Sequence, residues 1–180
     1  MRPTLCLTLL ALAAAAAAHA ASAKAGSLCA AGEKVAFTCP AGAHVLSVCE
    51  LPGGQALQYR LGKPGQVALA YPAPGTPAAK TFKAGLLAYS GGGGAYLDFT
   101  RGGYSYTVFT AIGRWGKDGA AYTVAGVAVA QGGAAVANIS CDHHNFEASA
   151  LGPDLFEQYH IATADPGEAD FFIPDAFIPN

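Results

Sequence analysis

Residues 89–99 read YSGGGGAYLDF, so four consecutive glycines separate two segments that contain aromatic residues. Glycine is favoured where the backbone turns sharply or approaches a partner closely, and it weakens the interior of a strand. The stretch therefore predicts a loop between two strands. A wide hairpin or a bulge accounts for the glycines. A partner-binding loop, with hydrogen bonds from Ser90 and Tyr96, is the functional alternative.

Short extended segments flank the glycine run and continue along the chain in both directions. Their apolar residues alternate or form short β-branched and aromatic groups, and turns containing glycine or proline separate them. The predicted strands are residues 35–39, 44–50, 56–61, 67–71, 80–89, 95–100, 104–112, 122–130 and 134–141. Residues 72–77 contain three prolines and predict a loop that crosses between strands.

This pattern predicts an all-β fold of about eight or nine antiparallel strands. Short strands must bury one face and protect their edges, and closure into a barrel does both. We therefore expect a barrel, with a two-sheet sandwich as the alternative. Residues 153–159, PDLFEQY, begin with proline and an acid and predict a short helix. The tail after it contains three further prolines and is expected to be extended.

The first 20 residues have the features of a secretory signal peptide: Arg2, an apolar run over residues 5–18 and the small-residue ending AHA. We expect residues 21–141 to form a disulfide-bonded β-barrel domain and residues 142–180 to form an acidic, aromatic extension. No other apolar stretch reaches about 18 residues, so no membrane span is expected. The expected location is the periplasm or the extracellular medium.

Four cysteines follow the predicted signal peptide: Cys29, Cys39, Cys49 and Cys141. An even number of cysteines in an exported protein favours two disulfides over free thiols or metal ligands. Three connectivities are open. A bond between Cys39 and Cys141 would tie the first strand to the last, and Cys29 would then pair with Cys49.

Charge is divided unevenly along the chain. Residues 24–141 contain nine Lys or Arg and four acids, whereas residues 142–180 contain eight acids and no Lys or Arg. An acidic extension can pack on the basic body, or it can shield a basic face until a partner displaces it. Its aromatic residues, Phe171, Phe172 and Phe177, either pack on the β domain or contact a partner. The cations are dispersed, which argues against a nucleic-acid interface.

No group of residues has the spacing that enzyme chemistry requires. In the run Asp142-His143-His144, adjacent histidines of an extended chain point to opposite faces, so no metal site is expected. Ser105 lacks the last glycine of a nucleophile elbow and is predicted to be an ordinary strand residue. Asp98 and Asp118 are isolated, which leaves no carboxylate pair for glycoside hydrolysis. We expect neither enzymatic activity nor a cofactor.

Several stretches together resemble a family of small exported bacterial proteins that has no established function. They are Phe37-Thr38-Cys39, residues 57–64 (LQYRLGKP), the glycine run and Tyr104-Ser105-Tyr106. The resemblance covers roughly residues 29–141 and implies a secreted, cysteine-bonded protein. It implies no particular activity.

The chain also resembles the periplasmic and membrane-bound inhibitors of C-type lysozyme, which are small eight-stranded barrels. The matching positions are Phe37-Thr38-Cys39, Cys141, Ser90, Gly93 and Tyr96 of the loop, and Trp115-Gly116-Lys117. In that family the loop enters the lysozyme cleft, a serine reaches the catalytic carboxylates and a lysine adds a charged contact. The resemblance implies these roles for Ser90 and Lys117. Gly92 and Ala95 stand where the family has a second serine and a basic residue.

These observations predict an exported, non-enzymatic binding protein. Its expected partner-binding residues are Ser90, Gly93, Tyr96, Trp115 and Lys117, and its partner is a lysozyme-type hydrolase or another envelope protein. Two alternatives stay open. One is a small-molecule-binding barrel with an interior cavity, and the other is a structural envelope protein.

Overall fold

The computed structural model describes residues 26–89, 91–142, 144–148, 150–164 and 171–179. The predicted signal peptide over residues 1–20 lies outside these described residues, as do Ser90 and His143. Strands dominate the described chain and form two sheets, which confirms the all-β prediction. None of the helices in this part of the chain is long and apolar enough to cross a membrane.

The first sheet is an antiparallel meander of four strands in chain order. Its strands are β1 (Lys34–Ala41), β2 (His44–Glu50), β3 (Leu57–Lys63) and β4 (Gln66–Tyr71). The predicted segments match these strands closely because turn residues mark their ends. Gly42, at φ 58°, and Gly65, at φ 78°, adopt the positive φ that such turns require.

The second sheet has six strands in the order β10-β5-β6-β7-β8-β9. Five of them form an antiparallel meander: β5 (Lys83–Tyr89), β6 (Gly92–Arg101), β7 (Tyr104–Gly113), β8 (Tyr122–Gln131) and β9 (Ala134–Ser140). The sixth, β10 (Ala162–Ala164), comes from the C-terminal extension and pairs in parallel with β5. The sequence does not predict β10, because three residues are too few to show alternation.

The two sheets stay separate within the described chain, so the expected closed barrel is wrong and the sandwich alternative is correct. Residues 72–77 lead from β4 to β5, and their prolines lack the amide hydrogens that would pair these strands. Side chains from both sheets fill the space between them. The Tyr59 ring of β3 lies 5.1 Å from the Phe99 ring of β6, and the Phe82 ring lies 5.6 Å from Phe99.

Most of the glycine run belongs to strand β6 rather than to a long loop, which corrects the sequence prediction. Tyr89 pairs with Gly92, so two residues separate β5 from β6. A Cβ atom on Gly93 would lie 2.9 Å from a carbonyl oxygen of β5, and one on Gly94 would lie 2.7 Å from a side chain of β7. These glycines therefore allow close approach of neighbouring strands. Gly91, at φ 78°, has the positive φ of a turn.

Two disulfides connect the four cysteines. Cys29 bonds to Cys49 with their Cα atoms 5.4 Å apart, and Cys39 bonds to Cys141 with their Cα atoms 5.1 Å apart. The first bond fastens the N-terminal segment to β2, and the second joins β1 to the residue that follows β9. The prediction of two disulfides is confirmed. Paired cysteines are typical of proteins that fold in an oxidising, non-cytoplasmic compartment.

The segment after β9 packs on the β domain in its described parts. Glu147 exchanges two backbone hydrogen bonds with Thr38 of β1, at 2.7 and 2.8 Å. The predicted helix is present as α1 (Pro153–Gln158). Its Leu155 and Phe156 side chains are buried in the core between the sheets. The extension thus contributes to the core of the sandwich.

Residues 26–33 lie on the outer face of the four-stranded sheet and are held there by polar contacts. The Arg60 guanidinium of β3 forms a two-pronged ion pair with Glu33, at 2.7 and 2.8 Å. The two side chains are only 11% and 9% exposed. Arg60 also donates to the Leu28 carbonyl oxygen at 2.8 Å and to Gln58 Oε1 at 2.7 Å. The fold tolerates these two largely buried charges because each is paired with the other and also forms hydrogen bonds.

A buried tyrosine links the C-terminal extension to β2. Tyr159 donates a hydrogen bond from its hydroxyl to Glu50 Oε2 at 3.0 Å. Burial, followed by this hydrogen bond and the Glu50 charge, raises the pKa of Tyr159 to about 12. A tyrosine in the unfolded chain ionises near pH 10. The folded chain therefore keeps a proton that the unfolded chain loses at alkaline pH.

This contribution of Tyr159 to stability is complete below about pH 10 and is lost as the pH rises towards 12. We expect the free energy of unfolding to fall more steeply above about pH 10 in the wild-type protein than in a Tyr159→Phe variant. Urea titrations at matched pH values measure the difference. Burial also raises the pKa of Tyr59. Both proteins should therefore still lose some stability at alkaline pH. Equal slopes would contradict the assigned role of Tyr159.

Candidate functional site

A groove of about 860 Å³ lies on the outer face of the six-stranded sheet. Asp98 of β6 lines it, whereas the neighbouring Leu97 and Phe99 point into the core between the sheets. We call it the outer groove, and its lining includes Lys83, Asp98, Thr107, Asn138, Phe171 and Phe172. This cavity lies outside the sandwich, whereas the small-molecule alternative expected an interior one.

Strand register places the polar side chains of the outer groove in one row. Lys83 of β5 pairs with Asp98 of β6, which pairs in turn with Thr107 of β7. The row continues through Ala128 of β8 to Asn138 of β9. Cross-strand partners point to the same face of a sheet. One face therefore presents an ammonium, a carboxylate and a hydroxyl on three adjacent strands, with an amide two strands beyond the hydroxyl.

Two hydroxyl groups hold the carboxylate of Asp98. Ser105 Oγ donates to Asp98 Oδ1 at 2.9 Å, and Thr107 Oγ1 donates to the same oxygen at 3.0 Å. Ser105 is a residue of strand β7, as predicted. Asp98 Oδ2 and the Lys83 ammonium have no hydrogen-bond or ion-pair partner among the described residues. One oxygen of Asp98 is thus fixed, and the other can accept hydrogen bonds from a ligand.

Aromatic side chains of the C-terminal tail cover the next row of the same face. The Phe171 ring lies 5.4 Å from the rings of both Tyr96 and Phe109. Phe177 packs edge-on against Phe109 at 4.8 Å. Phe172, by contrast, is 84% exposed beside the outer groove. The tail therefore forms a wall of the groove and leaves one ring open to solvent.

A second candidate site lies where the β5–β6 turn meets the segment after β7. The Arg114 side chain packs on Gly91. Its Nε atom lies 3.1 Å from the position that a Cβ of Gly91 would occupy. Arg114 also donates a hydrogen bond, at 3.3 Å, to the last residue of the 3₁₀ turn Lys117–Gly119. Lys117 is exposed on this turn. We call Gly91, Arg114, Trp115 and the 3₁₀ turn the turn end.

The structure gathers some of the predicted partner-binding residues and separates others. Trp115 and Lys117 lie at the turn end, and Gly93 lies in β6 close to it. Ser90 lies outside the described residues. Tyr96 lies further along β6 and is 5% exposed beneath the aromatic tail. Tyr96 is thus a buried residue of the outer face and lies away from the turn end.

The outer groove does not follow from the sequence patterns above, in which Asp98 stands alone. A signal was available in the β6–β7 hairpin. Symmetric pairing about the turn at Gly102 and Gly103 brings Asp98 opposite Thr107, which is the observed register. No local sequence pattern predicts that the tail forms a wall of the groove.

The expectation of no metal site concerns a run that the structure describes only in part. His143 lies outside the described residues, and the Asp142 carboxylate holds the turn that follows it through two hydrogen bonds. Among the described residues, one group of metal-ligating residue types has ligand atoms within 4.8 Å of one another: Cys29, Glu33 and Cys49. Its two sulfur atoms are bonded to each other and offer no thiolate.

These features define a disulfide-bonded, two-sheet β-sandwich with two candidate binding surfaces, the outer groove and the turn end. No protein-family model, curated protein or solved structure matches the chain. The function is therefore inferred from the chemistry of its own residues.

Proposed function

We propose that the protein is an exported, non-enzymatic binding protein that contacts its partner through the turn end, and that the partner is a lysozyme-type hydrolase. The observation that carries this proposal is the packing of Arg114 between the β5–β6 turn and the 3₁₀ turn Lys117–Gly119. This contact places a narrow hairpin tip next to an exposed lysine, the combination that the resemblance to lysozyme inhibitors implies. The two disulfides support the exported location.

The turn end has a shape and charge suited to an acidic cleft. Two residues separate β5 from β6, and Gly91 has no side chain to widen the tip. Arg114 and Lys117 contribute two exposed cations beside one exposed acid, Asp118. Glycoside hydrolases place a pair of carboxylates around the bond that they cleave. Complementary charge would therefore steer and orient the contact.

Apolar side chains in the same segment add contact area. The Trp115 ring packs over Gly113, where a Cβ atom would lie 2.6 Å from it, and Trp115 remains partly exposed. Ile112 is 48% exposed. Tryptophan and arginine are the residues that most often dominate the energetics of protein interfaces. This local arrangement supports the proposal, whereas the fold does not, since the sandwich differs from the barrel that the resemblance implies.

Inhibition of C-type lysozyme by the oxidised mature protein tests the proposal. We expect inhibition by the wild-type protein at micromolar concentration. The double substitution Ser90→Ala and Lys117→Ala should weaken it at least tenfold, or about 1.4 kcal/mol. It removes the hydroxyl group of Ser90 and the exposed charge of Lys117. Added salt should also weaken wild-type inhibition, because exposed charges are screened.

Lys63→Ala is the matched control for this experiment. Lys63 is exposed on the four-stranded sheet, so its removal takes away the same charge from a different surface. This variant should inhibit like the wild-type protein. Full inhibition by a folded double variant would contradict the assigned residues. No inhibition by the wild-type protein would contradict lysozyme as the partner.

A further inference from the structure

We propose that the outer groove is a second binding site and that its ligand is a neutral saccharide. The groove lies on the face of the six-stranded sheet, whereas the turn end lies at the end of strands β5 to β7. This inference is therefore independent of the proposed hydrolase contact. It follows from the charge balance, the hydrogen-bonding groups and the aromatic wall of the groove.

The charges of the described residues that line the outer groove cancel. Lys83 and Asp98 are the charged residues of its described lining, and they face each other directly on β5 and β6. A simple anion or cation would be attracted by one of them and repelled by the other. The described part of the lining therefore favours a ligand without net charge.

The polar groups of the groove both donate and accept hydrogen bonds. Asp98 Oδ2 can accept, the Lys83 ammonium can donate, and the Asn138 amide can do both. Ser105 and Thr107 already hold the other oxygen of Asp98, at 2.9 and 3.0 Å. Little side-chain freedom of Asp98 is thus lost on binding. Sugar hydroxyl groups also donate and accept, so they match this mixed set.

Aromatic and small residues complete the groove. Phe171 and Phe172 form one wall, and the 84% exposed ring of Phe172 is available to the apolar face of a sugar ring. Ala128, Ala130 and Gly132 leave open space in another part of the lining. Small-ligand sites measure roughly 300 to 1,000 Å³. The outer groove, at about 860 Å³, lies within this range.

Titration of the oxidised, full mature protein with two neutral oligosaccharides, triacetylchitotriose and maltotriose, tests this inference. NMR spectra of the backbone amides both detect binding and locate it. We expect saturable shifts around Asp98, Thr107 and Asn138 with at least one probe. No saturable binding of either probe would overturn the proposal, and so would shifts confined to the turn end. Tighter binding of free glycine, a zwitterion, would overturn the assignment to saccharides.

Variants separate loss of binding from loss of folding. Asp98→Asn removes the charge of the acceptor and should weaken saccharide binding about tenfold or more. Phe172→Ala removes an exposed ring, keeps the core intact and should weaken binding severalfold. Asp154→Asn removes an exposed carboxylate of α1 and is the matched control, with wild-type affinity. If Asp98→Asn unfolds, Phe172→Ala decides alone. Wild-type affinity in the folded groove variants would overturn the proposal.

Discussion

Replacing Cys39 and Cys141 together with alanine is expected to lower the free energy of unfolding by about 4 to 5 kcal/mol. The two cysteines are 102 residues apart in sequence, so their bond restricts most of the unfolded chain. In the folded state it joins β1 to the residue after β9 and thereby links the two sheets. Small domains unfold with roughly 5 to 15 kcal/mol. Urea unfolding in oxidising buffer should therefore show a large shift of the midpoint.

The second disulfide is the matched comparison, because the same number of sulfur atoms is removed. Cys29 and Cys49 are 20 residues apart, so their replacement by alanine should cost about 3 kcal/mol. The longer loop should thus give the larger loss. An equal or larger loss for the Cys29 and Cys49 variant would contradict the loop-entropy explanation. It would indicate instead that the Cys29–Cys49 bond stabilises the protein mainly by holding residues 26–33 against the sheet.

Strand positions follow from the sequence because their signals are local. Gly132 and Gly133 form the turn between β8 and β9, with φ values of 57° and 83°. The residues that signal this turn in the sequence are thus the residues that form it. The alternation of Ser105 and Thr107 with Tyr106 and Val108 likewise assigns two faces to β7 without reference to distant residues.

The arrangement of the sheets depends on residues far apart in sequence. The same alternating strands fit a barrel or a sandwich, and the choice follows from large side chains such as Tyr59 and Phe99, which meet between the sheets. Glycine adds a second ambiguity. Gly91 in a turn and Gly94 in a crowded strand look alike in sequence, although one supplies a positive φ and the other a close approach to β7.

The outer groove combines a local and a distant element. Hairpin register alone places Asp98 opposite Thr107. The wall built by Phe171 comes from a tail that has no periodic pattern, and its position depends on contacts with Tyr96 and Phe109. Sequence patterns could therefore indicate the polar row of the groove but not the groove itself.

Removing one partner of the Arg60–Glu33 ion pair is expected to give the other large loss of stability. Arg60→Met should lower the free energy of unfolding by about 3 to 5 kcal/mol. Glu33 would then keep a shielded charge without its cation, and the backbone amide of Ala30, which donates to Glu33 Oε2 at 2.7 Å, does not neutralise it. The substitution also withdraws the hydrogen bond to the Leu28 carbonyl oxygen. Urea unfolding at neutral pH measures the loss.

The double substitution Arg60→Met and Glu33→Leu separates the charge penalty from the other contacts of Arg60. Replacement of a whole buried ion pair by apolar residues is often neutral or stabilising, so the double variant should recover most of the loss. Lys34→Met removes an exposed cation from the same sheet and should stay within about 0.5 kcal/mol of the wild-type protein. A double variant as unstable as Arg60→Met would contradict the charge explanation. It would assign the attachment of residues 26–33 to the hydrogen bond that Arg60 donates to the Leu28 carbonyl oxygen.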